Sequence, residues 1–154
     1  MPYPTHNEVR DIVSTMFGGG GDADPAGFDK VIDDGFQGAV VGREFALGAD
    51  QVIGKQAWID QLVHPLRDAK DLDKPSAMNV VRIIGGAEDG WNAIELLGTG
   101  TSKAGKEWHN ETVVLARFTE DKQLIEAKIF LDQAHIQKHL DDADVVGPAT
   151  NDTE

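Results

Sequence analysis

Apolar residues in the N-terminal part of the chain recur with the spacing of helices. Thr5 and Glu8 form the pattern of a capping box, and apolar residues then follow one helical face, which predicts a first helix from about Asn7 to Phe17. Four successive glycines end this helix, because glycine loses more conformational entropy than any other residue when it is fixed in a helix. Asp24 and Pro25 then predict the start of a brief second helix that ends at Gly35.

The next two segments differ in their pattern. Residues 36–47 are rich in Val, Phe and Gly without a helical period, so we expect a strand or an irregular extended segment there. Residues 54–66 place apolar side chains along one helical face, which predicts a third helix. Because Pro65 disfavours helical geometry at the preceding residue, we expect this helix to fray or kink at His64.

Beyond Pro75 the pattern becomes typical of strands. Short turns containing glycine or charged residues separate four such segments. They are 78–84, 91–97, 108–118 and 124–131, and a short helix at 133–140 follows. Four successive strands with short connections indicate an antiparallel meander, and helices segregated from such a sheet define the α+β class.

The central strands of this meander are apolar at nearly every position. A strand with one solvated face should alternate apolar and polar residues, whereas Val113, Val114 and Leu115 are consecutive. Helices can cover one face of the sheet. The other face then needs a neighbouring subunit, so we expect a homodimer that packs sheet to sheet.

Composition and charge narrow the classes of function. The 154 residues suffice for one domain with a real core, and the formal net charge of −13 disfavours nucleic acid and anionic lipid as partners. The chain has no cysteine, and it shows neither a signal-peptide pattern nor a membrane-spanning apolar run, so we expect a cytoplasmic protein. Residues 141–154 carry five acidic and no basic side chains, which predicts a solvated, flexible acidic tail after a domain of residues 5–140.

The strongest candidate for acid/base chemistry is Asp132, directly after the last predicted strand. A carboxylate that follows Phe130 and Leu131 could be partly desolvated, which would raise its pKa. Asp132 also fits the N-cap of the last helix, and the two interpretations are compatible. Phe130, two residues earlier on the same strand face, is either a wall of a binding site or ordinary core.

Residues 108–112 place five functional side chains on one strand. Trp108, Asn110 and Thr112 share one face, His109 and Glu111 share the other, and periodicity does not decide which face points inward. His109 is a candidate proton shuttle or an ordinary surface group. No metal is predicted, because no histidine lies in a His-Glu-x-x-His motif or has a matching carboxylate pattern.

Three further residues complete the candidate substrate-binding set. Glu95 between two apolar residues is either a buried carboxylate or a solvated one that points outward. Arg43 is either a group that polarises a substrate oxygen or a member of an ordinary ion pair. Trp58 would shape an apolar cavity.

Several runs together resemble a known group of proteins. They are Gly105–Thr112, Ala116–Phe118 and Leu124–Asp132, with the earlier Val41–Phe45 and Gly54–Trp58. Their pattern is a glycine turn, an aromatic-Asn-Glu stretch, an Arg-Phe strand end and an aromatic-x-Asp finish. The chain resembles SnoaL-like proteins of the nuclear transport factor 2-like superfamily over roughly residues 5–140.

The resemblance implies a conical barrel in which a curved sheet wraps around helices and an apolar pocket, with Asp132 at the position that often points into the pocket. Thr112 and Phe130 stand where tyrosines are usual, which weakens any oxyanion-stabilising scheme taken from the family. The superfamily includes both enzymes and non-catalytic members.

The leading hypothesis is a cofactor-independent enzyme that acts on a hydrophobic small molecule, polyketide- or terpenoid-like, by isomerisation, cyclisation or dehydration. Asp132 would move a proton, with Asn110, His109 or Arg43 stabilising charge on a substrate oxygen. The alternative is a non-catalytic ligand-binding or dimeric assembly module of the same fold.

Overall fold

The computed structural model describes residues 2–42 and 45–143, and for residues 49–51 it describes the backbone. The N-terminal half contains α1 (His6–Met16), α2 (Pro25–Val31), β1 (Ile32–Val40), β2 (Ala49–Ile53), α3 (Lys55–Trp58), a π-helical segment (Ile59–Val63) and α4 (His64–Asp68). The C-terminal half contains β3 (Ala77–Gly85), β4 (Trp91–Thr101), β5 (Glu107–Phe118), β6 (Leu124–Leu131) and α5 (Gln133–Asp142).

The first helix begins with the predicted capping box. The Thr5 side chain accepts a hydrogen bond from the Glu8 amide, and the Thr5 amide donates to the Glu8 carboxylate. Both bonds satisfy amide groups that the first helical turn would otherwise leave without partners. The helix then buries Val9, Val13 and Met16 along one face, as their spacing predicts.

The second helix is shorter than predicted, and the strand after it begins earlier. Helix α2 ends at Val31, and β1 starts at Ile32 rather than at Phe36. Ile32 and Phe36 are almost completely buried in β1, so tertiary packing overrides the weak helical pattern that had suggested an end at Gly35. Asp24 occupies the N-cap position without a capping hydrogen bond from its side chain.

The helix does not fray at His64, because helical geometry continues through this residue, but its hydrogen bonding is irregular there. His64 has φ −61° and ψ −48°, and its amide donates to the Ile59 carbonyl five residues earlier. This wider turn lies directly before Pro65, where the missing amide and the proline ring would conflict with a regular α-helical turn. The helical path therefore passes the proline by becoming π-helical in front of it.

The six strands form one sheet in the order β2-β1-β6-β5-β4-β3. The predicted antiparallel meander of β3 to β6 is confirmed, and β1 pairs in parallel with β6. Strand β2, which was not predicted, pairs antiparallel with β1. The sheet is curved and open, with β2 and β3 at its edges, so the implied closed barrel is corrected to an open α+β cone.

The core lies between the helices and one face of the sheet. Its most deeply buried large side chains come from the helices and β1 as well as the meander, and include Trp58, Phe36, Phe118, Ile136 and Leu140. Helix α5 continues to Asp142, so the first residues of the predicted acidic tail are helical, while residues 144–154 lie outside the described residues. Within the described chain, every helix is too short or too polar to span a bilayer.

Candidate functional site

A cavity of about 110 Å³ lies between the helices and the inner face of the sheet. Apolar side chains from α1, α2, the α3–α4 helical path and the strands form most of its wall. They include Met16, Phe28, Leu62, Leu66, Met78, Ile94, Leu96, Val114, Ala127 and Leu131. The volume is similar to the roughly 150 Å³ of a dry cavity that holds benzene, and below the roughly 300–1,000 Å³ of pockets for drug-sized ligands.

Strand β5 supplies the polar part of the cavity wall. Its alternation directs Trp108, Asn110 and Thr112 inward, and all three are buried and line the cavity. His109 and Glu111 face the other way and are exposed. The structure thus decides which face of this strand is internal, a point that the sequence pattern had left open.

Two buried polar atoms of the wall have no hydrogen-bond partner among the described residues. They are Nε1 of Trp58, in a side chain that is 1% exposed, and Oδ1 of Asn110, in one that is 8% exposed. An unsatisfied buried polar group costs about 1–3 kcal/mol, so each gains from a partner inside the cavity. Together they offer one donor and one acceptor to a bound molecule.

Lys70 is the one ionisable side chain that lines the cavity within the described ranges. It is 4% exposed, and its Nζ lies 3.0 Å from the Gly21 carbonyl oxygen and 3.4 Å from Asp22 Oδ1. Burial lowers the pKa of Lys70 because it penalises the ammonium form, while the nearby Asp22 carboxylate acts in the opposite direction. Nothing in the sequence pattern marked this lysine, because it lies in a stretch rich in charged residues, 67–74.

Asp132 lies outside the cavity wall, in contrast to the position that the resemblance implies. Its side chain is exposed, and Oδ1 accepts a hydrogen bond from the His135 amide at 3.3 Å. The predicted N-cap role is therefore confirmed. The carboxylate turns toward the start of α5 because the first helical turn has unpaired amides to satisfy.

His109 also lies away from the cavity, on the outer face of β5. Its side chain is exposed, and its backbone amide donates to His135 Nε2 at 2.8 Å. This contact fastens α5 to β5 through the backbone of His109. The imidazole of His109 itself has no described contact with the cavity.

Two of the candidate binding residues face away from the cavity, and a third lies outside the described residues. Glu95 pairs with Arg82, with Oε1 and Nε 2.9 Å apart, on the outer face of the sheet. Phe130 is 41% exposed and stands opposite Val113 on that same face. Glu95 and Phe130, which were candidates for binding the substrate, therefore do not line the cavity. Arg43 lies outside the described residues.

A histidine pair on α5 backs one wall of the cavity. His139 stacks on Trp108 with ring centroids 4.8 Å apart, and its Nε2 lies 3.1 Å from Nε2 of His135. Burial lowers the pKa of His139, and repulsion from His135 adds to the effect. Among residues 2–42 and 45–143, no three His, Asp or Glu side chains group closely enough to hold a metal ion.

Comparisons with known proteins give structural neighbours alone. Neither the protein-family models nor the curated proteins contain a match to this chain. PrhC from Penicillium brasilianum NBRC 6234 superposes with a TM-score of 0.71 at 11% identity, covering 92% of this chain and 91% of that one. The BvnE pinacolase from Penicillium brevicompactum gives 0.68 at 14% identity, with coverages of 90% and 92%.

A third neighbour carries the group name that the sequence motifs suggested. This protein from Jannaschia sp. CCS1, designated a SnoaL-like polyketide cyclase, gives a TM-score of 0.58 at 17% identity, covering 88% of this chain and 93% of that one. The superpositions extend over most of both chains in each case, although identity is low. The chain therefore has the nuclear transport factor 2-like fold of SnoaL-like proteins.

Proposed function

We propose that this protein is a cofactor-independent enzyme of the isomerase, cyclase or lyase kind that acts on an apolar small molecule inside the cavity. The observation that carries the proposal is the apolar cavity lined by Trp58 and Asn110, whose buried Nε1 and Oδ1 atoms have no hydrogen-bond partner in the described part of the chain. Such a site binds an apolar body and orients it through few polar contacts. Structural neighbours that are named as a pinacolase and a SnoaL-like polyketide cyclase support the kind of reaction.

The cavity volume limits the size of the ligand. About 110 Å³ accommodates roughly one six-membered ring, by comparison with the benzene-sized cavity above. A polyketide- or terpenoid-like ligand, as expected from the resemblance, would place only part of its skeleton inside the cavity in this conformation. A compact ligand with one ring and one oxygen function matches both the volume and the polar atoms.

The proton-transfer step is tested with cyclohexanone, a one-ring ketone. In D₂O, an enzyme that moves protons next to a carbonyl exchanges the α-hydrogens of the ketone for deuterium, which ¹H NMR follows as loss of signal. We expect exchange with wild-type protein that saturates with ketone concentration. Asn110→Leu, which removes the cavity acceptor, should slow exchange by at least about tenfold.

Asp132→Asn is the matched comparison for the site assignment. Asparagine is a good N-cap residue, so this variant should keep α5 and retain the exchange rate of the wild type. Loss of exchange in Asp132→Asn would restore the catalytic role expected for Asp132 from the sequence. Saturable binding of cyclohexanone without any exchange would favour the non-catalytic binding module, and absence of binding would contradict both functions.

A further inference from the structure

Lys70 is held at the cavity wall by contacts that fix its amine. It follows α4 and forms an isolated antiparallel bridge with Ser102, which places its side chain between the loop after α1 and the β4–β5 turn. Besides the Gly21 carbonyl and Asp22, Nζ lies 4.9 Å from the centre of the Trp108 ring. Trp108 itself lines the cavity, so the amine sits beside a side chain that a ligand would touch.

The surroundings of Lys70 are those in which a lysine amine becomes a nucleophile. A desolvated lysine in an apolar pocket loses its proton more readily than an exposed one, because burial penalises the ammonium form. Asp22 Oδ1 lies 3.4 Å from Nζ and forms a salt bridge with it, and the Asp22 side chain is 19% exposed. This oxygen is therefore available to take a proton from the amine.

We propose that Lys70 forms an imine with a ligand that carries a ketone or aldehyde, and that Asp22 exchanges the protons of this step. Asp22 takes one proton from the ammonium, and Nζ bonds to the carbonyl carbon as the carbonyl π bond breaks. Asp22 passes this proton to the former carbonyl oxygen, and then carries a second proton from the nitrogen to the same oxygen. The oxygen departs as water. The nitrogen keeps its third proton, so a protonated C=N bond remains. The proposal rests on the function proposed above and narrows its substrate class to apolar carbonyl compounds.

An imine at this place would serve the proposed proton transfer. The protonated C=N bond withdraws electrons from the neighbouring carbon more strongly than a carbonyl does, so a hydrogen of that carbon leaves more easily as a proton. The Asp22 carboxylate, unprotonated again once water has departed, takes this proton, and the C–H electron pair forms the C=C bond of an enamine. The nearby Trp108 ring faces Nζ and favours a cationic nitrogen there. Lys70 would thus supply the electrophilic activation for which the described cavity wall offers no other charged group.

Reductive trapping tests the imine directly. Full-length protein is incubated with cyclohexanone and sodium cyanoborohydride, which reduces a C=N bond to a stable amine, and labelled lysines are located by peptide mass spectrometry. We expect one added cyclohexyl group on Lys70, formed faster than on exposed lysines such as Lys103 and Lys128. Lys70→Arg should lose this label while the labelling of the exposed lysines stays unchanged.

Two further measurements distinguish an imine at Lys70 from simple occupation of the cavity. Asp22→Asn should slow labelling of Lys70 without weakening the binding of cyclohexanol, which resembles the ketone but has no carbonyl. If wild-type protein binds cyclohexanol in the cavity but Lys70 is labelled no faster than Lys103, the imine is refuted and the proposed function stands. If neither cyclohexanol nor cyclohexanone binds, the proposed function fails together with the imine. The mapping on wild-type protein needs no variant to fold.

Discussion

The indole ring of Trp108 separates the cavity from the imidazole of His139. The two rings stack at an angle of 8° between their planes, and His139 is 3% exposed. Because burial lowers the pKa of His139, the neutral imidazole is the form that the folded protein favours. The wall of the cavity at Trp108 is thereby linked to the protonation of a histidine that does not touch the cavity itself.

This arrangement predicts a pH dependence of stability. The unfolded chain binds a proton at His139 near the ordinary pKa of 6.5, whereas the folded protein binds it at lower pH. Between the two values the unfolded state carries more protons, so the free energy of unfolding falls as the pH drops below about 6.5 and levels off below the folded-state pKa. Urea unfolding at a series of pH values measures this decline.

His139→Phe keeps an aromatic ring against Trp108 and removes the titrating group. The decline below about pH 6.5 should be smaller in this variant than in the wild type. His64→Gln, at an exposed histidine, serves as the matched control and should retain the wild-type decline. An identical pH profile in wild type and His139→Phe would contradict the assignment.

At the scale of residues, the sequence named part of the polar wall of the cavity and missed Lys70. Trp58, Trp108 and Asn110 were candidates and line the cavity. Alternation placed Trp108 and Asn110 on one strand face, but only packing against the helices decided that this face is internal. Lys70 was missed because its burial comes from a bridge to Ser102, more than thirty residues away, which no local pattern encodes. The sequence also did not show where the Asp132 carboxylate points. Whether it caps α5 or enters the cavity depends on three-dimensional packing, and in the structure it caps the helix.

At the scale of elements, the outer face of the sheet carries exposed apolar side chains, as the sequence pattern of the central strands indicated. Val113, Leu115 and Phe130 are each about two-fifths exposed, and Val113 stands directly opposite Phe130 on adjacent strands. The ion pairs Arg82–Glu95 and Arg117–Glu126 lie on the same face and neutralise their own charges. We propose that a second copy of the chain covers this face, because exposed clusters of large apolar side chains mark interaction sites.

Sedimentation velocity tests the dimer. We expect the wild type to sediment as a dimer, and Val113→Asp to sediment as a monomer, because a carboxylate in the middle of an apolar interface loses its hydration without gaining a partner. Thr119→Asp, near the end of β5 and beyond the exposed cluster, is the comparison that should remain dimeric. A monomeric wild type at the same concentrations would contradict the proposed interface.

Helices and strands could be predicted from the sequence where nearby residues alone determine them. The capping box at Thr5, the meander and α5 follow from caps, turn residues and alternation. Strand β2 was missed because its residues, Ala49–Ile53, carry only a short strand pattern and are held by pairing with β1. The parallel contact between β1 and β6 joins segments about ninety residues apart, so it depends on tertiary packing rather than on local sequence.

At the scale of the whole molecule, the open curved sheet and the helices enclose the apolar cavity, and the size of this cavity limits the size of the ligand. The chain carries 27 acidic against 14 basic residues, yet Lys70 is the charged side chain at the described cavity wall. A neutral or electron-rich ligand is therefore favoured over a cationic one. The proposed function requires that this cavity admit a ring-sized molecule to the buried polar atoms of Trp58 and Asn110.

Ala127→Leu adds three carbon atoms at a residue that lines the cavity, and Ala93→Leu makes the same change on the outer face of β4. The first variant should bind cyclohexanone at least about tenfold more weakly, or about 1.4 kcal/mol. The second should bind it like the wild type. A comparison of the two variants shows whether the ligand binds in the cavity or on the outer face of the sheet.

The most direct measurement is a titration of ¹⁵N-labelled protein with cyclohexanone, followed by NMR at the tryptophan indole groups and the Asn110 side-chain amide. Of the three tryptophans, Trp58 and Trp108 line the cavity, while Trp91 is 37% exposed on the sheet. We expect saturable shifts at the Trp58 indole N–H and at Asn110, no shift at the Trp91 indole, and weaker binding in Ala127→Leu. Unchanged Trp58 and Asn110 signals, or equal shifts at Trp91, would contradict ligand binding in the cavity.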